Sequence, residues 1–345
     1  MNLMEKIIRS RAPLRISFAG GGTDVPPYPS LYGGAVISTT IDRYAYVTIK
    51  KNHTKGLRVI SQDYNLMEKF DSISELKIDG KTSLVKAAVL QANLKNENLD
   101  IIIHVDSPPG SGLGSSSAVA VALIGCLSRY ATEHLSTYQI AERAIHLERE
   151  MVGIKGGYQD QYASTFGGFN FIEFKQSVTV NSLRLKPEIL NELLASLVLL
   201  DTGKTRLSGH IIEKQIQKYE KKDESTLQHL NMIKQLVFDV KDLLLKGNVE
   251  KIGNMLDEYW KHKKRISNNI TNPHIDTIYE LAKKNGALGG KILGAGGGGH
   301  MLFLCDPDKR DKLVKTIEKK INIIKFNFDY VGLQTWTLHN GIVVS

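Results

Sequence analysis

The chain has 345 residues, of which 42% are hydrophobic and 23% charged, and 45 Lys and Arg face 36 Asp and Glu, a formal charge of +9. That length suits two fused domains, and that composition a soluble globular protein. It excludes a membrane-spanning or disulfide-built chain: the longest apolar run, Ala118–Leu127, is about half the ~20 residues a span needs, and there are two cysteines.

Residues Ile7–Ala19 alternate well enough for a strand and lead into Gly20-Gly21-Gly22-Thr23-Asp24, with Pro26, Pro27 and Tyr28 following. Three glycines before an aspartate leave bare backbone beside one carboxylate. Asp24 either accepts hydrogen bonds from sugar hydroxyls or caps a local turn. Ala35–Lys50 is β-rich with period-two character, Arg58–Gln62 adds a strand, and Ser83–Leu94 has helical spacing.

The apolar strand Ile101–Val105 precedes Pro108-Pro109-Gly110-Ser111-Gly112-Leu113-Gly114-Ser115-Ser116-Ser117-Ala118, and the Ala/Val/Leu-rich run Val119–Leu127 then reads as a buried helix. A glycine-rich turn that opens a helix presents unpaired backbone N–H groups in one direction, and the helix dipole adds positive character there. Pro109 to Ser117 are therefore expected to cradle the phosphates of a nucleotide, with the serine hydroxyls capping the helix or binding phosphate or metal. A flexible turn with a serine cap is the plainer alternative. Two familiar phosphate loops are excluded by letter. No Lys lies between Pro108 and Arg129, as a Walker loop requires, and the dinucleotide G-x-G-x-x-G lacks its third glycine after Gly110 and after Gly112.

Thr137–Val152 reads as one amphipathic helix capped by Ser136, with Ile140, Ala144, Leu147 and Met151 as its stripe and Glu148 and Glu150 off it. Spacing alone puts Glu148 on a solvated face. A glycine-rich loop containing Gly153, Gly156 and Gly157 then delivers Asp160, which either caps the next helix or aims a carboxylate at a ligand. A strand starts after Gly168.

The second half changes character. Ser196–Asp201 is a buried strand, and long patterns rich in Lys, Glu and Leu from His210 to about Leu281 predict helices. The shift places a domain boundary at 185, with residues 1–185 as the first domain and 186–345 as the second. Lys204 and Arg206 follow Asp201 and either receive an acidic group or decorate a surface turn. Seven of the twelve residues Gly289–His300 are glycine, which implies a close approach of backbone to ligand or of backbone to backbone. Cys126 and Cys305 lie in apolar runs and are expected as buried free thiols; with no apolar signal core at the N-terminus, a cytoplasmic protein is expected. The densest basic cluster, Lys261–Arg265, is brief, so nucleic acid is not expected as a partner, and small anions account for the excess charge.

Three motifs in this order, Arg11–Asp24, Pro108–Ala118 and Lys291–His300, resemble the GHMP kinase superfamily, which includes galactokinase, homoserine kinase and mevalonate kinase. The resemblance implies a two-domain α+β fold: an N-terminal domain like the second domain of ribosomal protein S5, and a ferredoxin-like C-terminal domain with extra helices. It implies ATP and Mg²⁺ as cofactors and a small sugar or sugar phosphate as acceptor. Asp160 matches the catalytic carboxylate, Arg15 the cation beside it, Ser116 and Glu148 the magnesium ligands, and Asp24 the sugar-binding residue. Gly21, Gly22, Thr23, Tyr28, Gly157, Gly296 and Gly297 are assigned to the acceptor pocket, and Lys204 and Arg206 to a distal phosphate.

Galactokinases carry Gly-Glu-His-x-Asp where this chain has Gly20-Gly21-Gly22-Thr23-Asp24, which argues against galactose. This version looks like the kinases of heptose phosphates and, more distantly, the kinase part of fucokinases. The implied reaction moves the γ-phosphoryl of ATP to the anomeric hydroxyl of a heptose phosphate, toward GDP-heptose for surface polysaccharide. The rivals are a kinase for another sugar, such as fucose or a hexose phosphate, and a non-catalytic sugar or ATP sensor. Monomer and homodimer both stay open.

Overall fold

The computed structural model describes residues 6–94, 97–203 and 209–344. Its strands are β1 (Lys6–Ala19), β2 (Gly34–Lys51), β3 (Leu57–Ser61), β4 (Leu66–Phe70), β5 (Leu99–Val105), β6 (Phe169–Phe174), β7 (Val178–Ser182), β8 (Leu197–Asp201), β9 (Ala287–Ile292), β10 (His300–Cys305), β11 (Asn322–Ile324), β12 (Phe328–Asp329), β13 (Gln334–His339) and β14 (Ile342–Val343). Its α-helices are α1 (Tyr28–Tyr32), α2 (Ser83–Gln91), α3 (Ser115–Tyr130), α4 (Thr137–Ile145), α5 (Gln159–Phe166), α6 (Pro187–Ser196), α7 (Gly209–Glu220), α8 (Glu224–Lys246), α9 (Val249–Ile266), α10 (Pro273–Lys284) and α11 (Pro307–Ile317).

A ten-stranded sheet runs β14-β13-β1-β2-β5-β3-β4, with β6 and β12 also paired to β2 and β7 paired to β6. The long strand β2 makes this possible: residues 45–51 pair with β5, and residues 34–39 with β6. A separate four-stranded sheet runs β11-β8-β10-β9. Helix α3 is buried along nearly its whole length, as a helix apolar on all faces must be. It packs on β1 and β2, with α2, α4 and α5 around it.

Helices α8 and α9 fasten the two sheets. They pack on one another, α8 also on β1 and β2, and α9 on β9 and β10. Ile252 and Leu256, one turn apart on α9, are fully buried, and each such burial stabilises by roughly 1.5–3 kcal/mol. One continuous apolar core therefore spans both halves.

Two sequence expectations are refined. A single cut at 185 misses the return of the chain: β12 comes back to pair with β2 and β13 with the free edge of β1, and β14 adds to β13. The helix over Thr137–Val152 is two pieces, α4 and a π-helical turn at His146–Met151. Ser136 does cap α4, in a reciprocal capping box with Gln139. Cys126 and Cys305 are buried free thiols. Among the described residues no helix is long and apolar enough to cross a membrane.

Candidate active site

The site begins with β1. It carries Arg15 at a buried position, and α5 carries Asp160 in its first turn. Arg15 clamps Asp160 with both arms of its fork: Nε donates to Oδ1 at 2.7 Å and Nη2 to Oδ2 at 2.8 Å. The third arm, Nη1, donates to the Gly112 carbonyl at 2.6 Å, and the Arg15 backbone N–H donates to the Leu113 carbonyl at 3.0 Å. One arginine thus ties the carboxylate to the glycine-rich loop. The Asp160 side chain keeps 19% of its surface exposed, against 3% for Arg15, so the carboxylate remains reachable from the cleft.

The loop itself ends at Gly114, which adopts φ +79° just before α3. A methyl group there would come within 3.2 Å of Asp160 Oδ2, so loop and carboxylate share one site. The first-turn amides of α3 have no partner inside the helix and face an anion-favouring dipole end. The loop is braced from the second half of the chain. Gly112 (φ +80°) lies so close to residues 293–294 that a Cβ would stand 2.6 Å from the Leu293 carbonyl. Buried His300 donates to the Ser111 carbonyl twice, through its backbone N–H at 2.9 Å and through Nδ1 at 2.8 Å. A carbonyl only accepts, so Nδ1 carries the proton.

Glu148 is 1% exposed rather than solvated. The π-helical turn widens the backbone there and breaks the 3.6-residue register from which a solvated position followed. Its Oε2 accepts from Ser117 Oγ at 2.7 Å and from Gln161 Nε2 at 2.6 Å, while Oε1 stands 3.3 Å from Arg149 Nη1. Ser116 lines the cleft beside it. A carboxylate and a hydroxyl are hard oxygen donors of the kind Mg²⁺ accepts. Among the described residues no three His, Cys, Asp or Glu converge on one point, so a cation here would share its ligands with phosphate oxygens.

The opposite end of the cleft is built around Asp24. Oδ1 accepts from the Gly22 N–H at 2.9 Å, and Oδ2 from the backbone and side-chain amides of Gln159 at 3.2 and 3.1 Å. Gly157 presses against this carboxylate so closely that a Cβ would fall 1.9 Å from Oδ2. Helix α9 adds Lys263, whose Nζ donates to the Gly21 carbonyl at 3.0 Å, and Tyr259, whose hydroxyl donates to the same oxygen at 2.9 Å. Burial lowers the Lys263 ammonium to about 8, against a smaller opposing pull from Asp24. Lys291 donates to the Ser17 carbonyl at 2.6 Å; burial first, and then Arg15 and Lys263, push it well below the usual lysine range.

The cleft has a volume of about 140 Å³. Arg15, Gly21, Gly22, Asp24, Gly110, Ser111, Gly112, Gly114, Ser115, Ser116, Ser117, Glu148, Gly157, Asp160 and Gly296 all line it. A hollow of about 560 Å³, with Leu84, Ile103 and Val119 among its apolar walls, adjoins it through Gly110, Ser115, Ser116, Ile154 and Lys155, and Pro109 lines this second space.

Four assignments are corrected. Tyr28 lies behind the wall, its hydroxyl donating to Asn231 Oδ1 at 2.6 Å. The Thr23 hydroxyl sits 2.8 Å from the Gly20 and Ala35 carbonyls, so it closes the turn instead of facing a ligand. Gly297 is turned to Ile270 and Asn272 by its backbone N–H and carbonyl. Leu113 is buried, its carbonyl accepting from Arg15 and its N–H donating to Ser111 Oγ, so it faces the protein. Lys204 and Arg206 lie outside the described residues. Sequence reading missed Gln159, Gln161, Gln215, Lys263 and the role of His300. Only the first two carry a local signal, since they flank Asp160.

Residues 83–168 match the model of the GHMP kinases N terminal domain, and residues 240–322 that of the GHMP kinases C terminal region. A D-glycero-alpha-D-manno-heptose 7-phosphate kinase of Campylobacter jejuni is 38% identical over 340 residues, covering 96% of this chain and 100% of that protein. A solved D-glycero-D-manno-heptose 1-phosphate kinase from Bacteroides thetaiotaomicron superposes with a TM-score of 0.81 at 32% identity, over 95% of this chain and 98% of that one. A solved putative sugar kinase from Campylobacter jejuni gives 0.79 at 35% identity, over 98% and 100%.

Proposed function

The chain belongs to the GHMP kinases, which are ATP-dependent, and from that premise we propose that it moves the γ-phosphoryl of ATP to the anomeric hydroxyl of D-glycero-D-manno-heptose 7-phosphate. The product is the 1,7-bisphosphate, a step toward nucleotide-activated heptose for surface polysaccharide. The observation that carries the reading is Asp160, clamped by Arg15 against the loop that opens α3 and still open to the cleft.

Phosphoryl transfer asks mainly for positioning and charge neutralisation. The apolar hollow beside Pro109 suits a nucleoside, with its phosphates running across the start of α3 toward Asp160. Asp160 orients the acceptor hydroxyl and takes its proton at a carboxylate oxygen. Arg15 holds that carboxylate in a single orientation by a two-point clamp. Asp24, itself fixed by three amide donors, accepts from sugar hydroxyls. Mg²⁺ arriving with ATP would be held by Glu148 and Ser116 together with phosphate oxygens, and would neutralise charge on them.

The names of the two heptose kinase relatives put the phosphate at opposite ends of the sugar. We favour the 7-phosphate acceptor because that relative is the more similar over its full length. Coupled ADP release over a panel of phosphorylated heptoses, hexose phosphates and free sugars tests the reading. The highest kcat/KM is expected with heptose 7-phosphate. A preference for fucose or a hexose phosphate transfers the chain to another acceptor, and ATP binding without release on any sugar makes it a sensor.

A further inference from the structure

Lys263 is a buried cation without a buried partner. It is 2% exposed, and its Nζ has one hydrogen bond, to the Gly21 carbonyl. Among the described residues no carboxylate lies within ion-pair distance of it. Burying an ammonium without a counter-ion is costly, so a fold that keeps one at the wall of a cleft is poised to receive an anion. Beside it in the same cleft stands Gln215 of α7, 1% exposed, with an amide Nε2 that has no partner. Its Oε1 receives only a long bond from the Tyr219 hydroxyl, at 3.5 Å.

Two other cations of the cleft, Arg15 and Arg149, are already engaged. Arg15 is spent on Asp160 and Gly112. Arg149 donates to the Ile154 and Gly157 carbonyls and faces Glu148. Lys155 also lines the nucleotide hollow. Asp24 acts on Lys263 only at a distance: it makes no ion pair with it, and its oxygens accept from Gly22 and Gln159. The bare backbone at Gly22 leaves the space in front of Nζ, where a Cβ would stand 3.1 Å away.

We propose that Lys263, with the side-chain amide of Gln215, forms the subsite for the phosphate at the far end of the acceptor sugar. This rests on the reading of the chain as a sugar-phosphate kinase and assigns the specificity for the phosphorylated acceptor to α7 and α9. A lysine binds phosphate as a point charge and the amide adds directional donors. The assignment moves this role away from Lys204 and Arg206. The groups facing Lys263 are Asp24, Lys291, Tyr219 and Tyr259. The tyrosines are held neutral by burial, so the charge that titrates near pH 8 is the ammonium itself.

The test compares wild type, Lys263→Met, Gln215→Leu and the double variant Lys204→Ala/Arg206→Ala, each with heptose 7-phosphate and with unphosphorylated heptose. Wild type is measured first: no turnover of any heptose phosphate defeats the functional reading and not the subsite alone. With wild type active, Lys263→Met is expected to lower kcat/KM for the phosphorylated acceptor by about 10- to 200-fold, the range of one charged hydrogen bond, and to lower it for the free sugar by at least tenfold less. Gln215→Leu should shift in the same direction by a smaller factor. In wild type, kcat/KM for the phosphorylated acceptor should fall as pH rises past about 8, and this fall should vanish in Lys263→Met. Equal losses on both acceptors overturn the proposal, as does discrimination lost in the Lys204/Arg206 variant and kept in Lys263→Met.

Discussion

The two ends of the cleft are made of different material. The end we assign to the nucleotide is backbone: glycines at 110, 112 and 114, the open first turn of α3, and a second glycine loop pressed against the first. The end we assign to the acceptor is side chains: Asp24, Gln159, Gln215 and Lys263, carried by the loop after β1 and by α5, α7 and α9. A backbone site binds what every substrate of a phosphoryl-transfer enzyme shares. A side-chain site chooses among acceptors, and its chemistry is set by residues far apart along the chain.

Substitutions should separate the two ends. The largest effect belongs to the residue between them. Asp160→Ala should lower turnover by about 10²- to 10⁴-fold, while affinity for a non-hydrolysable ATP analogue changes less than about threefold, read by calorimetry. Near-normal turnover removes Asp160 from proton transfer. Gly112→Ala attacks the backbone end. Its φ of +80° and the 2.6 Å approach to the Leu293 carbonyl leave no room for a methyl group. It should lower unfolding stability by about 1–3 kcal/mol and weaken the ATP analogue at the same time. Loss of acceptor discrimination with ATP affinity intact would show that the two ends are not separable in this way.

Glu148→Gln and Ser116→Ala are expected to raise the magnesium concentration for half-maximal turnover by roughly 10-fold or more. Unchanged dependence in both places the cation elsewhere. The smallest effect is one of stability at the acceptor end. Lys263 has a folded value of about 8, below the unfolded lysine value of about 10.4. Its charge therefore destabilises the fold fully below pH 8, and the penalty fades as pH rises toward the unfolded value. Lys263→Met should accordingly raise Tm at pH 7 by a few degrees and bring no gain near pH 10.5. A fall in Tm at pH 7 would mean that the ammonium is paired in solution.

The same contrast decides how much was legible in the sequence. Backbone sites leave local marks, because only glycine permits the close approaches they need. Pro108–Ala118 and the glycines after Lys291 therefore stand out by composition, and Asp160 stands out by following a third glycine loop. Glu148 was matched by resemblance but misplaced by periodicity, since a π-helical turn shifts the register. Lys263 was hidden in what reads as a solvated basic run, Lys261–Arg265. Only the packing of α9 against the Gly21–Gly22 turn distinguishes it from Lys261, which pairs with Asp257 and Glu258 at the surface. Thr23 and Tyr28 erred the other way: both were assigned to the acceptor pocket, but the Thr23 hydroxyl closes its own turn and the Tyr28 hydroxyl reaches Asn231 on α8. The return of β12–β14 to the first sheet has no composition shift to announce it.

The most direct test of the account is the structure of the product. Wild-type enzyme, ATP, Mg²⁺ and D-glycero-D-manno-heptose 7-phosphate should yield a sugar with two phosphorus resonances, one of them scalar-coupled to the anomeric proton by ³¹P–¹H NMR. A new phosphorus coupled to any other ring or chain proton, or no second phosphorus while ADP accumulates, would contradict it.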